Sequence, residues 1–234
     1  MKLKKNLKFK IALICGNDSY VGREYAKSLI RNKINFDLIL IGKKLKNNID
    51  KKRTNNFWKP PKLNEMKKTL KNIFYFKNMN KFFFEYLDSI KYDLAIQGGG
   101  LGILNKEIIS KFKIGIINFH PGSLPEFRGS SAPEYQFLQK QKTVCTCHLI
   151  DENIDQGYLL KKKKLKLSYK NYYKFRASIY PEIAKFLIEI LFNLKMLLKL
   201  KKKVKKNTPL MPYIGDDVIK FIIINWKVLV KIVK

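Results

Sequence analysis

Apolar residues along the first part of the chain follow two different spacings. Residues 9–15 and 36–41 form continuous apolar runs of strand length, whereas residues 21–31 carry apolar side chains at helical spacing. This order predicts a strand, a helix and a second strand. Residues 43–72 are rich in Lys, Asn and Pro, so we predict an irregular insert there. Its segment 57–61, which is rich in aromatic residues and prolines, is a candidate to fold back onto the core.

The rest of the chain continues the alternation of strands and helices. Predicted strands occupy residues 72–76, 93–97, 114–119, 143–150 and 159–167. Predicted helices occupy residues 80–91, 105–112, 132–139 and 171–200. Asn105 is the expected cap of the second of these helices, and Pro181 is expected to start or kink the last one. This pattern predicts an α/β fold, in which a mostly parallel sheet is flanked by helices and binds ligands beyond the carboxyl ends of its strands.

The pattern changes after residue 200, where a basic run is followed by an apolar stretch at residues 221–233. We therefore predict one domain at residues 1–200 and a basic, then apolar, C-terminal extension at residues 201–234. Two alternatives exist for the extension. It packs on the sheet as an ordinary final helix, or it forms a surface-binding helix or a contact between two copies in a homodimer.

Composition excludes several classes of protein. No apolar run reaches the roughly 18 residues that a membrane span needs. The first ten residues are basic, and the apolar run after them is too short for a signal peptide, so we expect a cytoplasmic protein. Three cysteines, Cys15, Cys145 and Cys147, are too few and too irregular for a disulfide framework.

The formal net charge of +31 raises the question of nucleic-acid binding. Only five of the 49 basic residues are Arg, although interfaces that read base sequence depend on the planar guanidinium group. The Lys surplus is spread along the whole chain, together with many Asn and Ile residues, as a coding bias would produce. Attraction of phosphorylated small molecules is therefore the main expectation, and binding of tRNA remains an alternative.

Polar residues that suit catalysis end one of the predicted strands. Asn118 and His120 lie two residues apart, so their side chains share one face of the strand, and a turn rich in Pro and Gly follows at residues 121–129. The next predicted strand ends in the acidic loop 151–157, which contains Asp155. If the two strands are neighbours, the Asp155 carboxylate faces the imidazole.

This set of residues suits transfer of an acyl group to an amine. Asn118 and a protonated His120 can donate hydrogen bonds to a developing oxyanion. Asp155 can hold His120, favour its protonated form and relay the proton of the attacking amine.

Other interpretations compete for the same residues. The Asn-x-His pair could be a structural cap, and His148 is expected to be scaffold. Cys145, Cys147 and His148 together suggest a metal, but an alternating strand puts the two cysteines on one face and the histidine on the other, so we predict no metal site. The glycines of residues 98–102 do not have the spacing of a dinucleotide-binding loop.

The combined pattern resembles the formyltransferase family, which includes methionyl-tRNA formyltransferase, glycinamide ribonucleotide formyltransferase and the sugar-nucleotide N-formyltransferases. The resemblance covers residues 9–200 and is densest at 93–160, and it includes a Leu-Pro-x-x-Arg-Gly turn at residues 124–129. It implies a Rossmann-like formyltransferase catalytic domain that uses 10-formyltetrahydrofolate, a folate, as formyl donor.

The resemblance also assigns site residues. Asn118, His120 and Asp155 match the family's active-site residues. The folate pocket and the loop that closes on the pterin would include, in order, Leu101, Gly102, Ile103, Leu104, Asp151 and Glu152.

Two differences from the family bear on the amine acceptor. Residues 201–234 are too few for the barrel-like second domain of methionyl-tRNA formyltransferase. Asp18 would repel the phosphate that the purine-pathway enzyme binds at the matching loop, residues 16–20. The expected acceptor is therefore the primary amine of a nucleotide-linked amino sugar. The alternatives are an enzyme that acts on aminoacyl-tRNA and a non-catalytic basic binding protein.

Overall fold

The structure is a computed structural model that describes residues 8–42, 49–204 and 208–233. Within these ranges the strands are β1 (Ile11–Gly16), β2 (Asp37–Ile41), β3 (Ile73–Phe76), β4 (Leu94–Gln97), β5 (Gly115–His120), β6 (Val144–Leu149), β7 (Tyr158–Lys164) and β8 (Lys202–Lys203). The helices are α1 (Tyr20–Arg31), α2 (Ile49–Thr54), α3 (Leu63–Lys67), α4 (Lys81–Ile90), α5 (Lys106–Ser110), α6 (Ala132–Leu138), α7 (Tyr172–Lys199), α8 (Asp216–Ile224) and α9 (Trp226–Val233).

The described strands form one sheet in the order β3-β2-β1-β4-β5-β6-β7-β8. Strands β1 to β5 pair in parallel, and β6, β7 and β8 add antiparallel pairs at one edge. The predicted α/β fold with a mostly parallel sheet is confirmed, and the switch to antiparallel pairing occurs between β5 and β6.

Alternation along the strands divides the core into two layers. In β1, Leu13 and Cys15 face the layer that contains α7, whereas Ala12 and Ile14 face the layer that contains α4 and α5. Because both faces of the sheet are covered, β1 and residues 38–41 of β2 carry apolar side chains toward both layers, which explains the apolar runs in the sequence.

The insert between β2 and β3 differs from its prediction. It was expected to be irregular, but it contains the short helices α2 and α3, and its residues 43–48 lie outside the described ranges. Its aromatic residues do fold back as predicted. The ring of Trp58 stacks on Tyr180 at a centroid distance of 4.6 Å, and the ring of Phe57 stacks on Tyr173 at 6.3 Å.

Two predicted helix starts can be compared with the structure. The side chain of Asn105 accepts a hydrogen bond from the backbone N–H of Ile108, which confirms it as the cap of α5. Asn171 caps α7 in the same way, through the N–H of Lys174, so Pro181 lies inside this helix and does not start it.

The C-terminal extension packs on the rest of the molecule. Strand β8 pairs with β7, and Ile222, Trp226 and Val230 are buried in the layer that contains α7. The indole of Trp226 stacks on Phe137 at 4.5 Å. The extension thus packs on the core, as one of the two alternatives expected, but as β8 and the helices α8 and α9 and not as a single final helix. A surface-binding role, the domain boundary at residue 200 and the homodimer stay predictions.

A membrane span was not expected from the sequence. Among the described residues, no helix combines the length and the apolar character that crossing a bilayer requires.

Candidate active site

Pairing between β5 and β6 brings the predicted site residues together. Asn118 lies directly opposite His148, and His120 lies opposite Thr146. The loop after β6 turns back toward β5, and Asp155 takes a left-handed backbone conformation there, with φ of 51°. Its Oδ1 lies 3.3 Å from Nδ1 of His120. The neighbouring strands that the sequence required are therefore present, and the carboxylate faces the imidazole.

Both ring nitrogens of His120 face groups that only accept hydrogen bonds. Nε2 donates to the carbonyl oxygen of Phe127 at 2.5 Å, and Nδ1 faces the Asp155 carboxylate. The other carboxylate oxygen, Oδ2, accepts from the backbone N–H of Gly129 at 2.7 Å. Each ring nitrogen therefore faces a fixed acceptor, and these contacts set the orientation of the His120 ring beside the Asp155 carboxylate.

Asn118 is held by a residue whose role was predicted wrongly. His148 was expected to be scaffold, but its Nε2 lies 3.2 Å from Nδ2 of Asn118 and its Nδ1 lies 2.7 Å from the carbonyl oxygen of Gln156. Nδ1 must donate to that carbonyl, so Nε2 accepts from Asn118. One N–H of the Asn118 amide is thereby fixed, and the second remains for a ligand.

The electrostatic surroundings keep His148 neutral. Burial, and next the neighbouring His120, lower the pKa of His148 to about 4. A neutral ring is the form that accepts a hydrogen bond at Nε2. The sequence contained a signal for this role, because strand alternation places His148 on the face opposite Cys145 and Cys147.

The lowered pKa of His148 predicts a dependence of stability on pH. The unfolded chain binds a proton at His148 below pH 6.5, whereas the folded protein does so only near pH 4. The unfolded state therefore binds more protons in this interval, and the free energy of unfolding should fall as the pH drops from 6.5 to 4. The full effect is about 3 kcal/mol. Urea unfolding across this interval measures it. In His148→Gln, this part of the pH dependence should be lost, and an unchanged slope would contradict the prediction.

A cavity of about 110 Å³ lies beside Asn118 and Asp155. Four of the six residues predicted to bind the folate line it: Gly102, Ile103, Leu104 and Asp151. The other two do not, because Leu101 packs against the core layer of α4 and α5, and Glu152 is exposed. The lining also includes Gln97, His148 and Ile150, which the sequence did not indicate, and Asn153 and Ile154, which belong to the acidic loop after β6.

The cavity wall combines apolar surfaces with the carboxylates of Asp151 and Asp155. Ile103 is 67% exposed and Ile154 is 38% exposed, although both are apolar. Partial burial would raise the pKa of Asp151, but the ammonium group of Lys203 at 2.8 Å and the backbone N–H of Asn153 outweigh it, so the pKa is lowered. The cavity can therefore hold a flat apolar ring whose edge carries hydrogen-bond donors.

The cysteine and histidine side chains of β6 separate as alternation predicts. Cys145 and Cys147 lie in the core layer that contains α7, whereas His148 lines the cavity on the opposite face. Across residues 8–42, 49–204 and 208–233, no group of three or more His, Cys, Asp or Glu side chains has the arrangement of a metal site.

Comparison with known proteins supports the family suggested by the sequence. The chain is 31% identical over 127 residues to methionyl-tRNA formyltransferase of Wolbachia pipientis subsp. Culex pipiens (strain wPip), which covers 54% of this chain and 40% of that protein. It is 32% identical over 141 residues to the bifunctional polymyxin resistance protein ArnA of Wigglesworthia glossinidia brevipalpis, which covers 58% of this chain and 21% of that protein. The chain thus spans less than half the length of these curated relatives.

Solved structures share the fold. A sugar N-formyltransferase from Shewanella sp FDAARGOS_354 has a TM-score of 0.60 at 17% identity, over 91% of this chain and 79% of that one. Phosphoribosylglycinamide formyltransferase from Streptococcus pneumoniae TIGR4 has a TM-score of 0.58 at 18% identity, over 80% and 99%. The sequence model of the formyl transferase family matches residues 9–173. Since this match spans more than half of the chain, the protein belongs to the formyl transferase family.

Proposed function

We propose that this protein transfers the formyl group of 10-formyltetrahydrofolate to a primary amine. One observation carries the proposal: His120, whose ring lies beside the partly buried carboxylate of Asp155, is on the same strand as Asn118, an amide donor that keeps one N–H for a ligand. The site needs no nucleophilic Ser or Cys, because the amine itself supplies the nucleophile.

Each of the three side chains has a separate part in this reaction. Attack of the amine nitrogen on the formyl carbon places negative charge on the formyl oxygen. Asn118 donates its remaining N–H to that oxygen, and His120 contributes positive charge. The pair of His120 and Asp155 takes the proton that the amine loses and returns it to the leaving nitrogen of the folate.

The cavity residues fit the pterin ring of the donor. Ile103 and Ile154 line the cavity with apolar surface that a flat ring would contact, and the Asp151 carboxylate can accept hydrogen bonds from an amino group of that ring. Because the cavity measures only about 110 Å³, it would take the pterin alone, and the remainder of the folate would lie outside.

We further propose that the acceptor is an amino sugar linked to a nucleotide. The net charge of +31 attracts a substrate with two phosphates. The loop after β1 does not suit a single phosphate, because Asp18 lies in it and the Ser19 hydroxyl is used within the protein. This hydroxyl donates to the carbonyl oxygen of Gly98 and accepts from the N–H of Gly22. Glycinamide ribonucleotide is therefore disfavoured.

Aminoacyl-tRNA is the second candidate acceptor. Two relatives of this chain are named methionyl-tRNA formyltransferase, which favours this acceptor. The surplus of positive charge also favours it, because positive charge alone can bind a polynucleotide.

A parallel assay distinguishes these acceptors. The purified protein is given 10-formyltetrahydrofolate together with a UDP- or dTDP-linked amino sugar, methionyl-tRNA or glycinamide ribonucleotide, and release of tetrahydrofolate is measured. We expect release with an amino sugar, and release at least about a hundredfold slower with Asp155→Asn, the matched control. Release with methionyl-tRNA only would overturn the acceptor and leave formyl transfer intact, whereas no release with any amine would contradict both.

A further inference from the structure

Residues 208–214, here called the C-terminal strap, lie against the turn that follows β5. Leu210 forms a parallel β-bridge with Arg128, and the backbone N–H of Met211 donates to the carbonyl oxygen of Arg128 at 3.0 Å. The Thr208 hydroxyl donates to the carbonyl oxygen of Pro125 at 2.7 Å. At the far end of the strap, the N–H of Ile214 donates to the hydroxyl of Ser131. The strap therefore follows the turn along its whole length.

The side chain of Arg128 joins this strap to the loop that carries Asp155. Its Nη1 donates to the carbonyl oxygen of Thr208 at 2.7 Å, while Nε and Nη2 both donate to the carbonyl oxygen of Ile154, at 3.1 and 2.8 Å. The residue is only 9% exposed. The planar guanidinium group thus fixes two backbone segments that are distant in sequence, and a Lys ammonium group cannot reproduce this geometry.

The residues on either side of Arg128 contact both members of the His120–Asp155 pair. The carbonyl oxygen of Phe127 accepts from Nε2 of His120, and the N–H of Gly129 donates to Oδ2 of Asp155. A displacement of this turn would therefore change the surroundings of both side chains at once.

We propose that the C-terminal strap is a positioning element of the active site and that Arg128 is its positioning residue. The strap holds the turn from one side, and Arg128 ties the turn to the neighbour of Asp155, so that the carboxylate and the imidazole stay aligned. The effect on turnover rests on the proposed formyl transfer. The effect on His120 does not, because it is a property of the folded protein without substrate.

Substitution of Arg128 with lysine tests the proposal, since it keeps the charge and removes the forked contacts. We expect kcat to fall about tenfold to a hundredfold, because the reacting groups are misaligned. The chain has only two histidines, so ¹⁵N NMR of the imidazole nitrogens resolves His120 and His148 in the same spectrum. In Arg128→Lys, the His120 signals should move away from their wild-type positions, because the acceptors of both ring nitrogens are displaced.

Trp226→Phe is the control, because this residue also belongs to the extension but contacts only the core. It should lower stability and leave both kcat and the His120 signals unchanged. Arg128→Lys with wild-type kcat and wild-type His120 signals overturns the proposal. If the wild-type protein itself transfers no formyl group, the proposed function fails, and the NMR comparison still decides the role of Arg128.

If Arg128→Lys does not fold, a pair of Thr208 variants tests the positioning role of the C-terminal strap. Thr208→Val keeps the shape of the side chain and removes the hydrogen bond to Pro125, whereas Thr208→Ser keeps that bond. We expect Thr208→Val to shift the His120 signals and Thr208→Ser to restore them. Identical spectra for the two variants would contradict a positioning role for the strap.

Discussion

Replacing Asp155 with asparagine should lower kcat about a hundredfold to a thousandfold while the protein stays folded. The asparagine oxygen can still accept from the N–H of Gly129, so the loop keeps its anchor. Its amide nitrogen, however, would face Nδ1 of His120, where a proton already points. The imidazole then loses the carboxylate beside it, and the pair can no longer take the proton of the amine. Single-turnover measurements with saturating donor and acceptor separate this loss from any change in binding.

A double-variant comparison sharpens this expectation. If His120 and Asp155 act as one unit, Asp155→Asn together with His120→Gln should be only slightly slower than either single variant. Asp88→Asn is a matched control, since Asp88 lies on α4 in an exposed ion pair with Lys111, and it should retain wild-type turnover. Near-native turnover in Asp155→Asn, or losses that multiply in the double variant, would remove the pair from the proposed mechanism.

The parts of the fold that the sequence predicted are those with a local or periodic signal. Buried parallel strands are apolar on both faces, so β1, β2 and β4 were visible as continuous runs. Asn105 and Asn171 marked helix starts because a side-chain cap acts within one turn. Asn118 and Asp155 were recognised through strand ends and family motifs.

The parts that were missed depend on contacts between distant residues. The hydrogen bond from Arg128 to Thr208 spans 80 residues, and no pattern in the sequence next to either residue predicts it. The helices α2 and α3 are too short for periodicity to reveal them, since they contain six and five residues. The contact of His148 with Asn118 was missed because strand alternation predicts the face of β6 on which His148 lies, but not that Asn118 lies directly opposite on β5.

These long-range contacts meet in the loop that carries Asp155, and Gly157 closes that loop. Its φ of 96° lies in the left-handed region, and an added Cβ would overlap with the carbonyl oxygen of Leu149. Its own carbonyl oxygen accepts from the N–H of Val204, which holds the end of β8. Gly157→Ala should therefore cost about 4 kcal/mol or more of unfolding free energy, because neither the clash nor the backbone strain can be relieved locally.

Gly42→Ala separates the two causes of the expected loss of stability in Gly157→Ala, the steric clash and the backbone strain. Gly42 also has a positive φ, 82°, but among the described residues no atom lies within 4 Å of an added Cβ. Backbone strain alone should lower the free energy of unfolding of Gly42→Ala by about 1 to 2 kcal/mol. Urea unfolding of both variants gives the difference, and formyl transfer at a temperature where both are folded gives the effect on Asp155. If Gly157→Ala were no less stable than Gly42→Ala, or kept full turnover, the loop would not be held as the structure indicates.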